Sequence, residues 1–114
     1  MIYVASPYSH PDWHERQDRF RKVCQVCARL IRKGLTPFSP IAHTHPIAVY
    51  GDLNKVDWES WKRFDLEMIR HCGALYVLTI SGWKESTGVQ AEMIEAKRLG
   101  IPIKFIDEDG NEID

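Results

Sequence analysis

Residues Ala74–Ile106, ALYVLTISGWKESTGVQAEMIEAKRLGIPIKFI, decide the fold. They open on an uninterrupted apolar run, Ala74–Ile80, the pattern of a strand buried on both faces. A polar turn, Ser81–Ser86, follows and ends on a helix-capping serine. Thr87–Leu99 then carries apolar residues at helical spacing, Gly100 closes the helix, and Ile101–Ile106 is a second apolar strand. A strand, a crossover helix and a strand imply parallel pairing with a right-handed connection.

The same alternation extends upstream. Met1–Ala5 is a short β-prone run that stops at Ser6-Pro7, because proline has no hydrogen to give a sheet ladder. Asp12–Lys33 reads as a helix with Trp13, Phe20, Val23, Cys24, Cys27, Leu30 and Ile31 on one face and Gly34 as its stop. Leu35–Phe38 is a second short strand, closed by Pro40. Ile41–Lys55 has no clear period and holds Pro46, Gly51 and Asn54, so a long loop is expected, of the kind that more often carries function than not. Val56–His71 is a second amphipathic helix, followed by Gly73. The acidic tail Asp107–Asp114 is expected to fray or to form an interface.

These elements predict a single α/β domain over residues 1–114. It is a three-layer α/β/α sandwich on a small parallel sheet of four to five strands, flavodoxin/Rossmann-like. In such sheets a ligand binds beyond the carboxyl ends of the strands. Those ends are Ser6–Ser9, Ser39–His45, Ser81–Ser86 and the region after Ile106.

Composition narrows the function. The chain has 114 residues, 15 Lys+Arg against 16 Asp+Glu and a net charge of −1, without the basic excess of a nucleic-acid binder. No apolar run approaches the roughly 20 residues that cross a bilayer, and the opening MIYVASPYSHPD lacks a signal-peptide layout. A cytoplasmic protein without a membrane or nucleic-acid polymer as partner is expected. Its 3 cysteines are too few and odd in number for a disulfide scaffold.

Helix phase supplies the most informative signal. In Thr87–Leu99 the apolar stripe is Val89, Met93, Ala96, Leu99 and Gly100, and Glu92 falls inside it, near the strand carboxyl ends. In Val56–His71 the inward face is Trp58, Trp61, Met68, Ile69 and Cys72, with Asp65 at its centre. A carboxylate turned to a core costs several kcal/mol unless it is paired or functional. Each acid has a plain structural explanation, a backbone amide or an inward arginine. Two acids on helices flanking one cleft also suit chemistry at an acetal-like carbon, where one group attacks and the other assists departure. A low-dielectric pocket would separate their pKa values and so their roles.

Other residues carry weaker signals. Cys24-x-x-Cys27 lies mid-helix on the apolar stripe and reads as a buried structural pair rather than a redox or metal motif. His43-x-His45 suits a substrate contact, local structure or a metal, but no third ligand stands at a suggestive spacing. No metal and no cofactor are expected. Arg16 either binds an anionic group or snorkels. Ser86-Thr87-Gly88 caps a helix, and its free amides also suit a phosphate. Trp83 and Tyr8, at strand ends, either stack on a nucleobase or pack.

Together these motifs resemble the nucleoside 2-deoxyribosyltransferase superfamily and the small nucleotide N-glycosidases related to it. Ile2-Tyr3-Val4-Ala5-Ser6-Pro7-Tyr8 looks like its first strand and loop. Asp65-Leu66-x-x-Ile69 followed by Ala74-Leu75-Tyr76-Val77-Leu78 looks like its aspartate helix and central strand. Ser86-Thr87-Gly88-Val89-Gln90-Ala91-Glu92, with Gly100-Ile101-Pro102, looks like its nucleophile motif. With Pro37-Phe38-Ser39-Pro40-Ile41-Ala42-His43, the chain more specifically resembles a short-chain subgroup of this superfamily described only as a domain of unknown function. The likeness runs from Ile2 to about Pro102. Two features depart from the wider superfamily: Ser6-Pro7 replaces the usual glycine of the first loop, and the His43-x-His45 segment has no counterpart.

The resemblance implies catalytic Glu92 as nucleophile, Asp65 in proton transfer or base holding, and Tyr3 orienting Glu92. It also places Ser86 like the phosphate-contacting serine of the monophosphate-hydrolysing relatives, while the residues themselves, apart from the resemblance, offer substrate contacts from Ser6, Tyr8, Ser9, Arg16, His43, His45, Trp83 and Gly88. The expected activity is cleavage of an N-glycosidic bond in a nucleoside or nucleoside 5′-monophosphate, passing the sugar to water or to another base. A homodimer or higher homo-oligomer is expected, as relatives complete their sites across a subunit interface. Two other classes compete. One is a non-catalytic nucleotide sensor on the same fold. The other is an interaction module presenting Trp13, Trp58, Trp61 and Trp83.

Overall fold

The computed structural model describes residues 1–51 and 58–113, save the side chains of Trp58 and Ser60. In chain order the elements are β1 (Ile2–Ala5), α1 (Trp13–Arg32), β2 (Pro37–Phe38), α2 (Pro40–Tyr50), α3 (Trp58–Ile69), β3 (Ala74–Leu78), α4 (Thr87–Leu99), β4 (Ile103–Ile106) and β5 (Glu112–Ile113). One five-stranded sheet has the order β2-β1-β3-β4-β5, parallel except for β5. This is an α/β fold with the flavodoxin-like strand order.

Side-chain alternation along the strands builds two cores. Tyr3, Ala5, Leu75 and Val77 face Ile69, Cys72, Val89 and Ala96 of the α3/α4 layer. Val4, Tyr76, Leu78 and Ile106 face Val23, Val26 and Leu30 of α1. The period of two thus places one helical layer on each side of the central strands.

Three local expectations are corrected. Pro40–Tyr50 is a helix, not a loop: Ser39 caps it by accepting from the Ala42 amide, and Pro40 stands in its first turn, where a missing amide hydrogen is harmless. Pro46 inside it had masked the helical pattern. The tail is ordered into a hairpin: Asp107 accepts from the Asp109 and Asn111 amides, Gly110 adopts φ +79°, and β5 pairs antiparallel with β4. On α1, Ile31 and Trp13 are 61% and 52% exposed while Val26 is fully buried. Both exposed residues lie roughly 80° from Val23 at 100° per residue, on the flank of the stripe. Residues 52–55 of the expected loop, the helix start at Val56 and the inward Trp58 fall outside the described residues. No described helix is long and apolar enough to cross a membrane.

Candidate functional site

The strand order turns outward between β1 and β3: the chain leaves β1 toward β2 on one side and β3 toward β4 on the other. A cleft opens at the carboxyl ends of such a pair, and there a cavity of about 740 Å³ is found. Its floor comes from the segments after β1 (Ser6, Tyr8, Ser9) and after β3 (Gly82, Glu85, Ser86). Helices supply the walls: Arg16 and Arg19 from α1, Thr44 and His45 from α2, Asp65 from α3, and Gly88 and Glu92 from α4.

Glu92 is 3% exposed, and the fully buried Tyr3 donates its phenol hydrogen to Glu92 Oε2. Tyr3 itself does not border the cavity; its contact with the site runs through Glu92. Burial pushes the Glu92 carboxyl well above its ordinary pKa, the Tyr3 hydrogen bond pulls it back, and the charge of Asp65 pushes it up again. Burial also raises Tyr3 far above a normal phenol, with Glu92 next in effect, so the proton stays on the phenol.

Asp65 is 4% exposed, and its Oδ1 meets no hydrogen-bond partner among the described residues. Burial alone lifts its pKa from 3.8 to about 7. The two acids therefore differ in support: Glu92 has a donor that favours its ionised form, whereas Oδ1 of Asp65 has none. Ser6 Oγ is likewise buried without a partner among the described residues, and it borders the same cavity. Unmet buried polar atoms of this kind are uncommon in native proteins and call for an explanation.

The cationic side is built from α1. Arg16 donates to the carbonyls of His10 and Pro11, and Arg19 to those of Ser9 (2.9 Å) and Ser81 (3.4 Å). Both guanidiniums spend these bonds on neutral carbonyls and keep their charge at the cavity wall. Ser86 caps α4 by accepting from the Val89 amide at 3.2 Å, and Thr87 and Gly88 at the helix start also border the cavity.

On α2, Tyr8 Oη meets His45 Nδ1, and the His45 ring stacks on Phe20 with centroids 4.1 Å apart. His43 turns elsewhere, stacking on Phe64 at 5.2 Å. The two histidines thus face different neighbours, which removes the geometric basis for reading them as a joint ligand pair. Trp83 packs on Phe105 and the α3/α4 core. Of the sequence candidates, the cavity gathers Glu92, Asp65, Ser6, Tyr8, Ser9, Arg16, His45, Ser86 and Gly88, while His43 and Trp83 do not border it. Cys24 and Cys27 are half-buried on α1, and burial pushes Cys27 up to about 11, where it is inert.

Sequence reasoning missed Arg19 and Thr44. Arg19 stands three residues after Arg16, hence on the same helix face. Thr44 lies within the strand-end segment Ser39–His45, but nothing in the sequence singles it out there because Pro46 interrupts the helical pattern of α2.

Over residues 1–108 the chain matches the family described as "Domain of unknown function (DUF1937)". The chain belongs to that family. No functionally curated protein matches it.

Proposed function

We propose that this member of the DUF1937 family cleaves the N-glycosidic bond of a nucleoside or nucleoside 5′-monophosphate. The observation that carries the reading is the pairing of Glu92, held by Tyr3, with a second buried acid, Asp65, on the wall of one cavity. The resemblance of the sequence motifs to the nucleoside 2-deoxyribosyltransferase superfamily supports the reading, since its nucleophile motif aligns with Glu92 and its aspartate helix with Asp65.

The chemistry follows from the asymmetry of the acids. Tyr3 occupies Oε2 of Glu92 and leaves Oε1 to attack the anomeric carbon. As the bond from that carbon to the base nitrogen breaks, its electron pair goes to the base, which takes the proton held by Asp65. Positive charge growing on the sugar stabilises the Glu92 carboxylate at the moment it is needed. Water then attacks the anomeric carbon of the glycosyl ester, gives its proton to Asp65 and frees Glu92. A second base in place of water yields a new nucleoside instead. Arg16, Arg19, Ser6 and the start of α4 form a surface suited to sugar hydroxyls and a 5′-phosphate.

The experiment is chromatography of free bases after incubation with common nucleosides and their 5′-monophosphates, each with and without a second base. Base release from at least one compound supports the reading. Stabilisation by these compounds without any release would overturn it in favour of a nucleotide sensor using the same pocket.

A further inference from the structure

The cavity has one wall that the proposed chemistry leaves unused. Ile41, Thr44, His45, Ala48 and Val49 border it together, and their spacing puts them on one face of α2. This face is apolar except for Thr44 and His45, in contrast to the arginines, serines and acids elsewhere in the site. A flat heterocycle with a polar edge suits such a surface: apolar contact with its faces and a few placed hydrogen bonds.

His45 is fixed unusually well for a residue on a ligand wall. It is 7% exposed, stacked on Phe20, and tied at Nδ1 to the Tyr8 hydroxyl, whose ring also meets it edge-on. Of the two possible senses of that bond, the phenol as donor pairs the stronger donor with the stronger acceptor. Nδ1 is then occupied, and the ring's own hydrogen sits on Nε2.

We propose that the cavity face of α2 seats the departing nucleobase, and that His45, oriented by Tyr8, donates its Nε2 hydrogen to an acceptor atom on that base. This rests on the N-glycosidic reading and adds to it the element that selects the base. Burial and the neighbouring Arg16 charge lower the His45 pKa, while burial raises that of Tyr8 against the same arginine. The pair thus meets its ligand uncharged. A neutral donor favours a base carbonyl or ring nitrogen, and rejects a base presenting only a hydrogen there, since two donors would then face each other.

The test is nitrogen-15 NMR of histidine-labelled protein, with His45 assigned by comparison with His45→Gln. Adenine, hypoxanthine, cytosine, uracil and inorganic phosphate are titrated separately. The proposal expects the His45 proton on Nε2, a shift of that signal with at least one base, and none with phosphate. It also expects Tyr8→Phe to weaken that base about three- to tenfold, the loss of one supporting hydrogen bond. A hydrogen on Nδ1, a shift with phosphate alone, or silence with every base would overturn it. The parallel base-release assay keeps the two claims apart. Release with an undisturbed His45 would sink this proposal and leave the activity standing, whereas a base shifting His45 without any turnover would do the reverse.

Discussion

The Tyr3 phenol donates its hydrogen to Oε2 of Glu92, although 89 positions separate the two in the chain. The sheet makes this possible: Tyr3 is turned from β1 into the α3/α4 layer, where Glu92 enters from α4. Tyr3→Phe keeps the ring and its packing but leaves a buried carboxyl oxygen without its donor. With Glu92 as the proposed nucleophile, its misplacement should lower turnover on the order of 100-fold, with stability reduced by about 1–3 kcal/mol. Steady-state kinetics and urea unfolding of the variant check both; unchanged kcat would remove Tyr3 from the site.

In the proposed reaction Asp65 holds the proton that the departing base takes, and burial pushes its pKa up to about 7. Glu92, which burial also pushes up, must lose its proton to attack, so activity should rise as it ionises and then decline as pH passes through about 7 and Asp65 loses its own. A profile of kcat/KM between pH 5 and pH 9 would show this alkaline limb (roughly the span over which such a group titrates). A rate that keeps rising throughout would contradict the role of Asp65 as acid.

The same shift makes a stability statement. The folded protein holds the Asp65 proton up to about 7, whereas an unperturbed aspartate loses it near 3.8. Between those values the folded state binds more protons, so rising pH weakens the fold, by at most about 4 kcal/mol once Asp65 is ionised. Asp65→Asn should accordingly raise Tm by several degrees at pH 8 and change it little at pH 4. Equal shifts at the two pH values would show that burial does not perturb Asp65.

Glu95 offers a contrast on the same helix. It is 7% exposed, but Arg98 bonds it and Arg70 lies 3.7 Å away. The Arg98 hydrogen bond holds its pKa below the usual range. Glu95→Gln should leave base release unchanged and lower stability by no more than about 1 kcal/mol, since both arginine partners face solvent. A large loss of activity would mean that burial and arginine pairing do not distinguish structural from reactive acids here.

Gly82 borders the cavity with φ +94°, and a Cβ there would stand 2.5 Å from Arg19 Nη2. The guanidinium can swing away, but the backbone strain remains. Gly82→Ala should destabilise by about 1–2 kcal/mol and retain most of that effect in an Arg19→Ala background, read from urea midpoints. Loss of the effect in that background would assign it to the clash instead.

Much of this was legible in the chain because periodicity carried it. Ala74–Leu78, Thr87–Leu99 and the two inward acids, Glu92 and Asp65, follow from the phase of apolar residues alone. What escaped had a local disguise. Pro46 hid α2, although Ser39-Pro40 spells a helix start. Asp109-Gly110 marked a hairpin that the acidic tail composition obscured. Trp83 and His43, at a strand end and in an apparent loop, read as site residues, but neither borders the cavity. Their orientation depends on Phe105 and Phe64, distant neighbours that a one-dimensional pattern does not report.

The central claim is that Glu92 forms a covalent bond to the sugar. Its most direct test compares wild-type protein with Glu92→Gln, near in shape and unable to attack, by intact mass during incubation with the nucleoside and monophosphate panel. The account predicts a glycosyl adduct and free base with the wild type, and neither with the folded variant. Base release by Glu92→Gln at the wild-type rate would contradict it.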